Sequence, residues 1–256
     1  MGFVRNIPGT DINVSALGLG TVKIGRDQSV KYPQSFSIPD DGAVRKLLAL
    51  ARDSGINLID TAPAYGNSEE RLGTLLDKRH DWVIATKTGE EFEAGVSGFD
   101  FSAAHTRMSI DRSLKRLNTD YLDIVLIHSN GNDEDILENS DCVQALQACK
   151  EQGKIRAIGM STKTIAGGLL AASMLDIVMI TYNLEQRDQE VLDFARDHKK
   201  GVLVKKGLMS GHAGSVRESM KLLFADEGIS SVIIGTINPD HMAENVKLAR
   251  EQIGTD

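Results

Sequence analysis

The amino-acid sequence predicts an α/β fold: a single (β/α)8 TIM barrel with an N-terminal β-hairpin, formed by residues 1–256 as one domain. Short runs rich in β-branched residues alternate eight times with apolar patterns of helical period, in units of roughly 25 to 30 residues. The chain has 256 residues, which suits one barrel, and no low-complexity segment divides it. A doubly wound open sheet would need fewer strands than these eight.

The N-terminal hairpin is predicted from residues 4–7 and 12–14, which flank a turn that contains Pro8 and Gly9. It is a candidate plug for the bottom of the barrel. The barrel strands are predicted at residues 16–20, 57–60, 82–86, 123–128, 155–159, 177–182, 202–205 and 231–234.

Helices are predicted between the strands. The first, AVRKLLALARDSG, carries an apolar stripe and ends at the stop signal Gly55. Its stripe consists of Val44, Leu47, Leu48 and Ala51. The other helices are predicted to begin near Ser68, Ala103, Cys142, Thr164, Arg187, Ser215 and Pro239.

Composition limits the classes of function. The hydrophobic share is 41%, the charged share 25% and the net charge −7, as in ordinary globular proteins. A net negative charge disfavours nucleic acids and anionic membranes as partners. The N-terminus lacks the apolar stretch of a signal peptide, and no apolar run approaches the roughly 18 residues of a membrane span. We therefore expect a cytoplasmic protein without a nucleic-acid or membrane partner; the oligomeric state stays open.

The two cysteines, Cys142 and Cys149, are seven residues apart in a predicted helix. Two helical turns would separate their α-carbons by about 10 Å, which is too far for a disulfide. We expect buried, reduced thiols, and we predict no metal site.

Titratable residues collect at the predicted strand ends, where barrels of this type carry their active sites. Asp60 ends the second strand and Tyr65 lies on the loop that follows it, whereas Lys87 ends the third strand and His128 the fourth. Taken alone, each has an ordinary structural interpretation, such as a turn cap, a packed ring or a solvated lysine. Their convergence on one end of the barrel favours a site.

Proton donation to a carbonyl oxygen is the chemistry that these four residues fit. A free tyrosine has a pKa near 10, and we expect the Lys87 ammonium to lower the pKa of Tyr65. Asp60 would hold Lys87 in place and keep it charged, and His128 would be a second donor to the oxygen. No side chain can deliver the hydride that must reach the carbonyl carbon, so the sequence implies a nicotinamide cofactor.

A phosphate site is predicted in GTINPDHMAEN, residues 235–245, where a small flexible loop opens into a helix. The other interpretation is an ordinary helix start, with Asn238 as cap and Pro239 at its first position. The early GLGTVKIG has Lys23 where a Rossmann fingerprint needs its third glycine. The glycines of this motif are better explained by a backbone segment that packs closely at the barrel mouth.

Taken together, the sequence resembles the aldo-keto reductase superfamily over most of its length. The motifs that carry the resemblance are LGLGT, GINLIDTAPAYGNSEERLG, IATKTG, SLKRLNTDYLDIVLIH, KIRAIGMST and IIGTINPDHMAEN. The order of DTAxxYG, TK and LIH is far more specific than any one of these pieces.

The resemblance implies that Tyr65 is the catalytic acid and that Asp60, Lys87 and His128 complete a tetrad. It also implies a cofactor, NADPH more often than NADH, with NAD possible, and a small-molecule carbonyl substrate. Ser161 resembles the residue that binds the nicotinamide carboxamide. The residues expected to bind the cofactor are Gly20, Thr21, Asp60, Ser161, Thr162, Met179, Lys205, Gly235, Thr236, His241 and Asn245.

Five positions depart from the family pattern. Thr162 stands where asparagine is usual, and Met179 where glutamine is usual. Gly207 lies near the place of an aromatic residue that stacks on nicotinamide. Gly235 and His241 stand where basic residues often clamp a 2′-phosphate, a contact that Lys205 or Lys206 could replace.

The leading hypothesis is thus an NAD(P)H-dependent reductase of aldehyde or ketone carbonyls, with the loop 90–101 as pocket wall. One alternative is a nicotinamide-binding sensor or regulatory protein with weak turnover, motivated by Met179 and Gly207. A further alternative is a lyase that forms a Schiff base through Lys87, although a charged lysine is a poor nucleophile.

Overall fold

The computed structural model describes residues 2–255 and contains a closed barrel of eight parallel strands. The described strands are β1 (Val4–Asn6), β2 (Asn13–Ser15), β3 (Leu17–Gly20), β4 (Leu58–Asp60), β5 (Val83–Thr88), β6 (Glu90–Glu93), β7 (Val96–Phe99), β8 (Leu122–His128), β9 (Ile155–Ser161), β10 (Ile177–Thr181), β11 (Gly201–Lys205) and β12 (Ser231–Ile234). The barrel consists of β3, β4, β5 and β8 to β12 in chain order, and β12 pairs with β3 to close it. The predicted TIM barrel is confirmed, and each predicted barrel strand is present.

The N-terminal hairpin is also confirmed. Strands β1 and β2 pair antiparallel, and Val4 lies opposite Ser15. Ile7, Ile12 and Val14 are buried in the cluster of side chains that fills the barrel interior. A Cβ added to Gly201, at the start of β11, would come within 2.3 Å of Ile7 Cγ2. The hairpin therefore packs against the amino end of the barrel, opposite the predicted site.

Ten α-helices surround the barrel within the described residues. They are α1 (Val22–Gly25), α2 (Asp41–Asp53), α3 (Ser68–Leu75), α4 (Ala103–Arg116), α5 (Asp133–Asn139), α6 (Cys142–Glu151), α7 (Ile165–Met174), α8 (Gln189–Asp197), α9 (Val216–Leu223) and α10 (Pro239–Ile253). The α2 helix buries the predicted stripe and begins where Asp40 accepts a hydrogen bond from Ala43 N. Helices α1 and α5 are additions that the hydrophobic pattern did not predict.

Both cysteines are buried in α6 and free, as expected. None of the helices in the described part of the chain is long and apolar enough to cross a bilayer.

A second hairpin, β6 and β7, replaces the predicted loop at residues 90–101. Its strands pair antiparallel, with Glu90 opposite Phe99. The chain enters it through Gly89, which has φ +102° and where an added Cβ would lie 2.4 Å from the Phe101 ring. Glycine is therefore required at this turn. The hairpin begins at the carboxyl end of β5, so it lies at the mouth of the barrel.

Candidate active site

A buried ion pair at the barrel mouth joins the ends of two neighbouring strands, β4 and β5. Lys87 is 1% exposed. Its Nζ donates to Asp60 Oδ1 at 2.6 Å and to the Thr61 carbonyl oxygen at 2.9 Å. A buried ammonium group without such partners would cost several kcal/mol. Asp60 therefore fixes the position of Lys87 and balances its charge.

Tyr65 lies beside this ion pair on the loop that follows β4. Lys87 Nζ is 4.8 Å from the centre of the Tyr65 ring. Helix α1 crosses the loop closely: a Cβ on Gly66, where φ is +61°, would lie 2.0 Å from the Gly25 carbonyl oxygen. A Cβ on Gly25 would lie 2.2 Å from the Tyr65 carbonyl oxygen. This crossing needs glycine at both positions, which explains the glycine that follows the tyrosine.

His128, at the end of β8, lies against the same tyrosine. The two ring centres are 6.1 Å apart, and the ring planes meet at 84°. On the other side, Glu90 Oε2 lies 2.8 Å from His128 Nδ1. Ser97 Oγ donates to the second Glu90 oxygen, Oε1, at 2.7 Å. The structure thus brings the four predicted residues together and adds Glu90, which sequence reasoning missed; the acidic pair directly after TKTG was the available signal.

Burial controls the proton affinity of the tyrosine. It raises the pKa of Tyr65 well above its ordinary value; Asp60 adds to this effect and Arg26 opposes it. The expectation that Lys87 lowers this pKa is therefore wrong. The physical reason is that Asp60 already balances the Lys87 charge at 2.6 Å. The phenol is protonated at neutral pH and is available as a proton donor.

A second lysine lies at the mouth, at the end of β11. Lys205 Nζ donates to Ser161 Oγ at 2.8 Å and to the Thr162 carbonyl oxygen at 2.5 Å. The residue keeps some accessible surface, yet protein atoms surround its ammonium group. Burial, together with the positive charge of the neighbouring Lys206, lowers the pKa of Lys205 to about 7. Lys205 thus binds the very hydroxyl group that was expected to hold the nicotinamide carboxamide.

Met179 is placed differently from the other predicted cofactor residues. Its side chain is 2% exposed and belongs to the cluster that fills the barrel interior. Its backbone carbonyl accepts hydrogen bonds from Thr162 N at 3.1 Å and from Thr162 Oγ1 at 3.4 Å. In the described structure Met179 therefore contributes packing and a backbone acceptor.

The ends of β3 and β12 meet at a point where both strands carry glycine. A Cβ on Gly20 would lie 3.6 Å from Gly235 Cα, and a Cβ on Gly235 would lie 3.0 Å from Tyr32 Oη. Thr21 is held structurally, because Thr21 Oγ1 donates to the Asp60 carbonyl oxygen and accepts from Ser68 Oγ, both at 2.9 Å. Glycine at both positions therefore lets the two strand ends and the Tyr32 hydroxyl come close together, and Tyr32 lies on the loop before α2.

The predicted phosphate loop leads into α10 as the sequence indicated. Asn238 caps the helix and accepts hydrogen bonds from Asp240 N and His241 N, so the ordinary interpretation of this residue also holds. Thr236 is buried and His241 is exposed. Asn245 is 6% exposed, and its amide makes no hydrogen bond within the described residues. A side-chain amide without a hydrogen-bond partner in the described protein suits a ligand that offers both donors and acceptors.

A polar cavity of about 350 Å³ opens at the mouth between the ends of β10 and β11. Its lining includes Lys31, Lys206 and His212, with Glu185 as an opposing charge. Burial lowers the pKa of Lys206, and the positive charges of Lys31 and Lys163 act in the same direction. This side of the mouth therefore carries more positive than negative charge.

The family model described as "Aldo/keto reductase family" matches residues 16–221, so the chain belongs to this family. It is thereby an oxidoreductase of a family whose members act on small-molecule carbonyl compounds with nicotinamide cofactors.

Known proteins resemble the chain over most of its length. L-galactose dehydrogenase of Arabidopsis thaliana is 30% identical, covering 97% of this chain and 88% of that protein. The NADH-specific methylglyoxal reductase of Escherichia coli K12 is 33% identical, covering 79% of this chain and 67% of that protein. A crystal structure of a Pseudomonas aeruginosa protein assigned to the aldo-keto reductases is 54% identical, with a TM-score of 0.91 and coverage of 98% and 95%.

Proposed function

We propose that this chain, acting as one domain, reduces aldehyde or ketone carbonyls to alcohols with a nicotinamide cofactor, and that Tyr65 is the proton donor. The observation that carries the proposal is the convergence on one end of the barrel of Asp60, Tyr65, Lys87 and His128, which come from three separate segments of the chain. A nicotinamide cofactor, when bound, supplies hydride to the carbonyl carbon.

Each residue of the cluster has a distinct role in this proposal. Tyr65 carries the proton, because its raised pKa keeps the phenol protonated at neutral pH. Loss of that proton leaves a phenolate beside the Lys87–Asp60 ion pair, and Lys87 Nζ lies 4.8 Å from the centre of the Tyr65 ring. Asp60 holds Lys87, and His128 is a second donor to the carbonyl oxygen.

Several features of the mouth fit such a cofactor. Gly235 is exposed on the loop before α10, where phosphate could approach, and the Asn245 side-chain amide suits an adenine edge. Lys206 lies on the basic side of the mouth and suits a phosphate group. We propose NADPH as the cofactor; NADH is the alternative, since the Escherichia coli relative is named as NADH-specific.

The test is purified protein with NADPH or NADH and a panel of aldehydes that includes methylglyoxal. We expect Tyr65→Phe to lose roughly 10²- to 10⁴-fold in kcat, the range of a lost general acid, with cofactor binding retained. Tyr121→Phe is the matched control, because Tyr121 contacts His80 on the surface. Full activity in Tyr65→Phe would refute the acid role.

Two observations, on Lys205 and Met179, favour the alternative that the chain is a nicotinamide-binding sensor with weak turnover. Lys205 already binds the Ser161 hydroxyl, and Met179 is packed in the barrel interior. A sensor would bind cofactor in a fluorescence titration and turn over none of the carbonyls tested. The lyase alternative is not favoured, because Lys87 is paired with Asp60 and is a poor nucleophile; borohydride trapping of Lys87 with a carbonyl substrate would revive it.

A further inference from the structure

We propose that Glu90 is a positioning residue of this site: it holds His128 through Nδ1 and stabilises the protonated imidazole that donates to the substrate oxygen. The inference rests on the proposed carbonyl reduction, in which His128 is the second donor.

Each oxygen of the Glu90 carboxylate has a polar neighbour, at ion-pair distance on one side and at hydrogen-bond distance on the other. Glu90 Oε2 lies 2.8 Å from His128 Nδ1, and the side chains are 13% and 18% exposed. The other oxygen, Oε1, accepts a hydrogen bond from Ser97 Oγ at 2.7 Å. A carboxylate with one partner on each oxygen has little freedom to rotate away from the imidazole.

The backbone also builds this position. Gly89 turns the chain directly after β5, and the Phe101 ring leaves no room for a Cβ there. Glu90 is thus only three residues beyond Lys87. The β6–β7 pairing places Phe92 opposite Ser97, which brings Ser97 back towards Glu90. The chain that leaves β5 just after Lys87 therefore also delivers the carboxylate that contacts His128.

Proton positions follow from the chemistry of the pair. A carboxylate can only accept, so His128 Nδ1 must carry a hydrogen when it faces Glu90. In the neutral imidazole, Nε2 is then an acceptor and cannot donate to a carbonyl oxygen. In the imidazolium, both nitrogens donate. With Glu90 in place, His128 is therefore a donor only when it is protonated.

Burial and the surrounding charges determine how readily the His128 imidazole is protonated. The pKa of His128 lies below its ordinary value, because burial and the positive charges of Lys87 and Lys205 outweigh the opposing effect of Glu90. Burial alone would raise the pKa of Glu90, but His128, Ser97 and Arg26 outweigh burial and hold it at about 2. Glu90 is therefore charged throughout the pH range in which a histidine titrates. It is the charged neighbour that favours the protonated imidazole.

The first experiment follows the His128 imidazole by NMR titration of the full chain without cofactor, with His128→Gln to assign the signal. In Glu90→Gln we expect the ratio of protonated to neutral His128 at a given pH to fall about tenfold or more. Glu93→Gln is the control, because Glu93 is an exposed residue on the same hairpin and loses the same charge. An unchanged His128 titration in Glu90→Gln would overturn the proposal.

The second experiment measures kcat for aldehyde reduction between pH 5 and 9. The unmodified enzyme should slow as His128 loses its proton. In Glu90→Gln the carboxamide can donate to Nδ1 of the neutral imidazole and leave the hydrogen on Nε2. The decrease of kcat with rising pH should therefore disappear in this variant. A wild-type pH profile in this variant would also overturn the proposal.

Ser97→Ala covers the case in which Glu90→Gln fails to fold, because it removes only the second contact of Glu90. It should shift the His128 titration in the same direction by a smaller amount, and no shift would overturn the proposal. The titration needs no turnover. If the chain reduces no carbonyl compound, the proposed function is refuted. The titration still decides whether Glu90 raises the pKa of His128.

Discussion

Replacing Asp60 by Asn removes the carboxylate that lies 2.6 Å from Lys87 Nζ at the barrel mouth. Lys87 is 1% exposed, and the Thr61 carbonyl oxygen at 2.9 Å remains as an acceptor. A neutral acceptor does not balance a buried charge, and breaking one partner of such a pair costs about 3–5 kcal/mol. At roughly 2–4 °C per kcal/mol for a chain of this size, the Tm should fall by about 6–20 °C.

Urea unfolding and thermal scans of a double-mutant cycle measure this effect. Asp60→Asn with Lys87→Met removes both charges, so it should recover much of the loss caused by Asp60→Asn alone. The control is Glu251→Gln, which breaks the exposed pair between Arg217 and Glu251 and should cost no more than about 1 kcal/mol. If Asp60→Asn costs no more than Glu251→Gln, the burial argument fails.

Two further predictions concern the Tyr65 loop and the second lysine. Gly66→Ala should lower the free energy of unfolding by more than Gly153→Ala. Both glycines have positive φ, but an added Cβ would lie 2.0 Å from the Gly25 carbonyl oxygen at Gly66 and would meet no atom within 4 Å at Gly153. Equal urea midpoints of the two variants would contradict the close crossing of the Tyr65 loop and α1. Burial lowers the pKa of Lys205 to about 7, whereas the unfolded lysine keeps its proton to about pH 10. The unfolded chain therefore binds more protons between these values, and stability should rise with pH across that window. Lys205→Met should stabilise the protein at pH 7 by more than about 1 kcal/mol, and by progressively less towards pH 10. The exposed control Lys46→Met should show no such trend. An effect of Lys205→Met that does not change with pH would refute the predicted rise of stability with pH.

The sequence by itself determined the barrel and the positions of its strand ends. Hydrophobic periodicity is local, so eight alternations of strand and helix are visible without coordinates. Because parallel strands end on one side of a barrel, the convergence of Asp60, Lys87 and His128 followed from their places on the strands.

The second hairpin had no comparable local signal. Its two-residue turn is formed by Ala94 and Gly95, both with positive φ. Alanine rarely adopts that conformation, so the usual turn signals, such as Asn-Gly, are missing. The segment therefore looked like a loop in the sequence.

Only the tertiary structure decided the electrostatics of the site. The contact between Glu90 and His128 joins residues 38 positions apart, and the bond from Lys205 to Ser161 spans 44 positions. The direction in which the pKa of Tyr65 shifts depends on how much protein surrounds the phenol and on which charges are already paired. Burial and charge pairing are properties of the packed chain, because they depend on atoms that distant segments bring together.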